Sequence, residues 1–166
     1  MDLSYLNLPV SVENNVKFYP YEDLLVEMFK YGLPELQFKT LIPERMTYPL
    51  VVGRRFLKQG AWSGDPRFID KGPVRINVFT EGQYAEDQGF FISEAIRVMM
   101  LKAKLEKWRF PGIGSIVNIE METEPSDESD WATASGIVQF ADLPKHVKRR
   151  ETVYRMTIRR PQSERG

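Results

Sequence analysis

The segment GPVRINVFTEGQYAEDQGFFISEAIRVMMLKAKLEKWRF, residues 72–110, decides the fold. Its apolar and polar residues alternate over residues 74–80, which predicts a strand with one aliphatic face. A polar turn leads into a helical pattern over residues 84–108, and Pro111 and Gly112 are expected to end the helix. The predicted apolar face of this helix consists of Ile92, Ala95, Ile96, Met99 and Ala103. A strand followed directly by a helix about 37 Å long is typical of a two-layer α/β domain.

The composition is that of an ordinary folded protein. The chain has 166 residues, of which 42% are hydrophobic, and this suits one domain with a substantial core. Lys and Arg number 23, as do Asp and Glu, so no net charge attracts the chain to DNA or membranes. The sequence has no cysteine, which excludes disulfides, thiolate metal sites and thiol nucleophiles. It shows neither a long apolar run nor a signal-peptide pattern, so we expect a cytosolic protein that does not enter membranes.

A short helix is predicted ahead of the central segment. Pro20 stands at its expected first position, and Glu22 and Asp23 lie in the first turn, where the helix dipole favours anions. Gly32 is expected to end this helix in the left-handed conformation, and Pro34 prevents it from resuming. Its apolar face is formed by Tyr21, Leu24, Leu25 and Met28.

Strands account for most of the remaining elements. They are predicted over residues 36–42, 50–52, 74–80, 113–123, 131–141 and 152–158. In the strand over residues 113–123, the buried face is expected to carry Val117, Ile119 and Met121. A long loop is predicted over residues 58–72.

These elements predict an α+β fold. A mixed, largely antiparallel β-sheet carries the short early helix and the long central helix, both packed on one face. Residues 20–160 are predicted to form a single domain. Residues 1–19 are expected to be an irregular N-terminal arm, and residues 161–166 a flexible C-terminal tail.

The sequence offers little for catalysis. His146 is the only histidine, and the neighbouring cations lower its basicity. Gly112 and Gly114 follow a helix and precede a strand, which is the wrong order for a nucleotide-binding turn. The acidic residues 120–130 lack the spacing of a calcium loop, so they form a solvated hairpin end or a patch for a partner. We therefore expect no enzyme activity, no cofactor and no metal site.

Charged residues near the C-terminus form a first candidate interaction surface. Arg155 and Arg159 are expected to share one face of the last strand, because they are four residues apart. They contact phosphate or an acidic partner, or they protect an exposed edge strand from aggregation. Glu122 and Asp127 carry the opposite charge, so acidic and basic ends of neighbouring subunits are a third option.

A second candidate interaction surface combines basic and aromatic residues around the long loop. Such a combination binds protein surfaces or nucleic acid, and an aromatic side chain in a loop also packs against its own core. The residues concerned are Arg54, Arg55, Lys58, Trp62, Arg67 and Phe68.

The order and type of these elements resemble a family of phage proteins. The likeness is carried by residues 21–29, 33–34, 48–55, 74–79, 84–97 and 152–160. Over residues 20–160 the chain resembles the tail terminators (tail-completion proteins) of long-tailed bacteriophages, most closely those of phages that infect actinobacteria. The arm over residues 1–18 and the loop that holds Trp62 depart from the family pattern.

The resemblance implies a structural virion protein. Tail terminators form a hexameric ring that caps the tail tube protein, stops tube polymerisation and provides the surface on which the head connector or stopper docks. Genomic DNA passes through the lumen without sequence-specific binding. The implied location is the neck end of the virion tail, after assembly in the host cytoplasm. Two alternatives remain: another neck component, such as a head-closure, stopper or tube-like protein, and a small nucleic-acid-binding module.

Overall fold

A six-stranded sheet with two helices is formed by residues 19–55, 68–127 and 147–161, which the computed structural model describes. The helices are α1 (Tyr21–Gly32) and α2 (Ala85–Glu106). The strands are β1 (Phe38–Lys39), β2 (Leu50–Arg55), β3 (Ile69–Glu81), β4 (Arg109–Phe110), β5 (Gly114–Asp127) and β6 (Val147–Arg159). The sheet order is β1-β2-β3-β6-β5-β4, in which β1 and β2 are parallel and the other neighbours antiparallel. This confirms the predicted α+β class and the mixed, mostly antiparallel sheet.

Strand β6 lies in the middle of the sheet. It pairs with β3 from Ile69↔Arg159 to Glu81↔Val147, and with β5 on its other side. Because both of its edges are occupied, the interpretation of its charges as protection of an exposed edge strand is wrong.

The main core lies between the helices and one face of the sheet. On β6, Thr152, Tyr154, Met156 and Ile158 are buried and alternate with more exposed residues, as a strand with one buried face requires. Side chains from both helices and from β2, β3, β5 and β6 share this one buried cluster.

Gly32 ends α1 for a reason other than the predicted one. Its backbone is not in the left-handed region, and Leu33 caps the helix with a φ of −137°. A Cβ at Gly32 would come within 2.7 Å of Met99 and 2.8 Å of Trp108. Glycine therefore allows α1 and α2 to approach closely.

Helix α2 ends before the predicted stop. Its last residue is Glu106, and Lys107 follows in the left-handed conformation with a φ of 52°. Trp108 then turns back into the core. Pro111 and Gly112 do not end the helix, because they lie in the turn between β4 and β5.

Several strands have other limits than predicted. β1 covers two residues only, β2 continues beyond residue 52 to Arg55, and β3 begins at Ile69, inside the predicted loop. β5 continues through the acidic stretch to Asp127, and β6 begins at Val147. The strand predicted over residues 131–141 and the arm over residues 1–18 lie outside the described residues.

A bulge changes which β5 residues face the core. Register shifts by one residue between Ile116 and Asn118, so Val117 has no direct partner on β6. Ile116 is consequently buried and Val117 only half-buried, contrary to the prediction, whereas Ile119 and Met121 reach the core as predicted.

A second, smaller apolar cluster lies on the opposite face of the sheet. It contains Leu50, Val52, Phe79 and Val147, with Ile42, Met46 and Tyr48 packed against it. The segment between β1 and β2 thus covers one end of this face, and its Tyr48–Pro49 peptide bond is cis.

Candidate interaction surfaces

The face of the sheet opposite the main core is rich in arginine. Alternation along β3 and β6 places every second side chain of these strands on it, and the register adds Arg54 of β2 opposite Arg75. We call this the charged sheet face, defined by Arg54, Lys71, Arg75, Arg149, Glu151, Arg155 and Arg159. The predicted common face of Arg155 and Arg159 is therefore present in the structure.

Glu151 is the centre of an ion-pair network on this face. Its Oε2 accepts a hydrogen bond from Nη1 of Arg149 at 3.0 Å, and its Oε1 lies 3.5 Å from Nε of Arg75. Nη1 of Arg149 also donates to Oδ1 of Asn77 at 3.0 Å. Arg149 is 1% exposed, so these partners compensate a charge removed from water.

The structure separates the two arginines of β2. Arg54 is exposed on the charged sheet face. Arg55 turns to the helix side, where its guanidinium lies 5.4 Å from the ring centre of Tyr21 and its backbone N–H donates to Glu22 at 3.1 Å. Only Arg54 of this pair therefore remains on a surface with other exposed cations.

Arg155 finds its acidic partner within the chain. Its Nη2 donates to Oε1 of Glu122 at 3.0 Å, across the β5–β6 pair. Asp127 lies farther along β5, opposite Arg150, and Arg159 is exposed at the other end of β6. The two segments of opposite charge thus meet in one subunit, which the spacing of the sequence alone did not predict.

The predicted loop surface is described only in part. Phe68 is 52% exposed, and its carbonyl oxygen accepts the backbone N–H of Arg160 at 2.7 Å. Lys58, Trp62, Arg67 and His146 lie outside the described residues.

A partly buried polar network joins α1 to one end of the sheet. Asp70 accepts a hydrogen bond from the hydroxyl of Tyr21 at 2.6 Å and another from Arg160 at 3.0 Å. Burial raises the pKa of Tyr21, and the hydrogen bond to Asp70 raises it further. No local sequence pattern predicts this network, because its members lie far apart in the chain.

A small cavity of about 230 Å³ borders this network. Its lining includes Asp23, Arg160 and Tyr19, whose hydroxyl donates to the carbonyl oxygen of Ile113 at 2.6 Å. Burial raises the pKa of Tyr19 as well, which keeps its phenol protonated. The Tyr19 hydroxyl and the Arg160 guanidinium that line the cavity are thus engaged in holding residues 19–21 at the end of the sheet.

The outer side of α2 carries a group of exposed apolar side chains that the sequence-based prediction did not include. We call it the outer stripe, and it consists of Tyr84, Phe90, Phe91, Val98, Leu101 and Leu105, all exposed. The signal was present in the sequence as a seven-residue spacing at Tyr84, Phe91, Val98 and Leu105. The predicted apolar face of α2 covers only its inner, core-facing side.

Comparison with known proteins adds no relative. No protein-family model matches the chain, and no curated protein is significantly similar to it. Residues 19–55, 68–127 and 147–161 contain no group of three or more His, Cys, Asp or Glu side chains placed to hold a metal ion. Over the same residues, neither helix combines the length and the apolar character that crossing a membrane requires.

Proposed function

We propose that this protein is a tail terminator: a structural virion protein whose ring, a hexamer by the family pattern, caps the phage tail tube. The ring stops tube polymerisation and presents a docking surface to the head connector or stopper. The proposal rests on the resemblance of residues 20–160 to that family, and the order of helices and strands in the fold is compatible with it. Head-to-tail contacts between identical subunits close into a ring when their rotation permits.

The observation that supports this function best is the charged sheet face. Arg54 and Arg159 are exposed on it. Glu151 pairs with Arg75 and Arg149, and Glu122 pairs with Arg155. A face of this kind suits the wall of a channel through which DNA passes, because arginines attract phosphates without reading bases. In the proposed ring, this face borders the lumen.

The test is the mass of the purified protein in solution, measured alone and with purified tail tubes. A hexamer, or a smaller species that forms rings only at tube ends, supports the proposal. A protein that leaves tube ends uncapped and tube length unregulated overturns it.

The same arginines favour a second candidate, a nucleic-acid-binding module. Such a module binds duplex DNA as a free protein, with an affinity that falls by orders of magnitude over a modest rise in salt. Tight binding of this kind by a protein that ignores tail tubes would select this candidate over the terminator.

A further inference from the structure

Helix α2 has apolar side chains on two opposite sides. Ile92, Ile96 and Met99 point into the main core. On the outer stripe, Tyr84 is 70% exposed, Phe91 74% and Leu105 70%. A helix at a protein surface normally presents a polar outer side, and a contiguous apolar patch marks a site of interaction.

The spacing of the outer stripe fits another helix. Tyr84, Phe91, Val98 and Leu105 recur every seven residues, which is the repeat of a seam between packed helices. With 22 residues, α2 is about 33 Å long, so the seam extends over the whole helix.

The charges beside the stripe differ between the two halves of the helix. Residues 84–94 contain three carboxylates and no cation. Residues 95–107 contain four cations and a single carboxylate. A second α2 in the antiparallel direction brings each acidic half beside a basic half, whereas a parallel one brings like charges together.

We propose that a second copy of this chain docks on the outer stripe, with the two α2 helices antiparallel and a two-fold axis beside Ala95. In this register Tyr84 lies level with the partner's Leu105, and Phe91 level with the partner's Val98. Ala95, which was predicted on the core-facing side of α2, is half-buried and does not belong to the main core, and its small side chain permits close approach at the axis. Glu94, also near the axis, is already paired with Arg97 at 2.9 Å, which reduces its repulsion of the partner's Glu94.

This contact goes beyond the proposed function and does not rest on it. A two-fold contact uses the same surface on both subunits and is complete with two copies. A ring requires a separate head-to-tail surface, so loss of the α2 contact and loss of tube capping are distinguishable.

The first experiment compares masses by light scattering. Phe91→Glu combined with Val98→Glu places charges at the centre of the stripe, and we expect at least a tenfold weaker association between copies. Leu41→Glu is the matched control, because Leu41 is 64% exposed and belongs to the segment between β1 and β2 rather than to α2, and it should leave the mass unchanged. Circular dichroism checks that each variant is folded. A wild-type monomer at about 100 µM, or an unchanged mass in the folded double variant, overturns the proposal.

The second experiment tests the direction of the helices. Because the chain has no cysteine, Ala95→Cys introduces the only thiol, and mild oxidation should link two copies across the axis. Leu105→Cys alone should not link, because its two copies lie about 30 Å apart in the antiparallel pair. Adding Tyr84→Cys to Leu105→Cys should restore the link. A disulfide formed by Leu105→Cys alone indicates parallel helices and overturns the proposal.

Discussion

Arg149 has the largest fully buried side chain among the described residues, and its charge depends on neighbours that belong to different strands. Glu151 supplies the carboxylate on the same strand, and Asn77 of β3 supplies an amide oxygen. Breaking a buried pair from one side costs far more than breaking an exposed one, because the remaining charge stays out of water. Glu151, which pairs with buried Arg149, should therefore contribute more to the free energy of unfolding than Glu122, which pairs with the more exposed Arg155.

We expect Glu151→Ala to lower the free energy of unfolding by about 2–3 kcal/mol, since it leaves Arg149 buried without this carboxylate. Glu122→Ala is the matched control, because its pair with Arg155 is more exposed, and it should cost less than about 1 kcal/mol. Urea denaturation of both variants measures the difference. Equal losses would show that the network around Glu151 does not hold Arg149.

Tyr154, unlike Glu151, carries a buried polar group whose removal should not destabilise the protein. Its hydroxyl is buried and has no hydrogen-bond partner among the described residues, and burial raises its pKa to about 12. We expect Tyr154→Phe to leave the free energy of unfolding unchanged or to raise it by up to about 1 kcal/mol. Tyr21→Phe should instead lower it, because the hydrogen bond to Asp70 is lost.

The raised pKa of Tyr154 also predicts how stability depends on pH. The unfolded phenol ionises near pH 10, whereas the folded one retains its proton to about pH 12. The stability of the protein is thus unaffected by this group below pH 10, and it falls as the pH rises from 10 to 12, because the unfolded phenol loses its proton first. Tyr154→Phe should therefore lose stability less steeply in this range, as denaturation at several alkaline pH values will show. A parallel decline in both proteins would contradict this.

At the scale of elements, the contact between α1 and α2 depends on the absence of a side chain at Gly32. We expect Gly32→Ala to lower the free energy of unfolding by about 1–2 kcal/mol, although alanine favours a helix by about 0.5–1 kcal/mol. The reason is the approach of the new methyl group to Met99 and the ring of Trp108. Thermal denaturation, with Lys30→Ala as an exposed helical control, measures the effect. A stabilised variant would show that the two helices separate without cost.

Local patterns predicted the existence of the elements better than their ends. The spacing of apolar residues was sufficient for α1, α2 and the centre of β3. The end of α2 depends on Lys107 and on Trp108 returning to the core, which is a tertiary contact. The bulge at Val117 depends on the register with β6, and the sequence of β5 contains no residue pattern that predicts it.

The charged sheet face and the outer stripe could be predicted only in part from the sequence. The common face of Arg155 and Arg159 follows from the two-residue period of a strand. The pairing of Arg155 with Glu122 requires knowledge of which strands are neighbours. The outer stripe could have been predicted without knowledge of the strand order, because its seven-residue spacing is visible in the sequence alone.

At the scale of the whole molecule, the two layers present different chemistry: exposed cations on the sheet and an apolar stripe on α2. If the charged sheet face meets DNA phosphates, Arg54→Ala with Arg159→Ala should weaken duplex DNA binding at low salt. The slope of log affinity against log salt should become shallower by about 2, one unit for each lost contact. Lys30→Ala with Lys102→Ala, two exposed cations of the helix layer, is the matched control. Equal effects of both pairs would show that DNA does not prefer the sheet.

The central position of β6 has a consequence for how the chain folds during synthesis. Residues up to 127 include every other described element, yet β3 and β5 are not neighbours without the strand between them. A nascent chain at that stage carries two long strands with open edges, and translation must reach residue 159 before the sheet can close. Such edges invite pairing with other chains. We therefore expect ribosome-bound intermediates of this protein to depend on chaperones more than a chain of similar size whose sheet grows from one edge to the other.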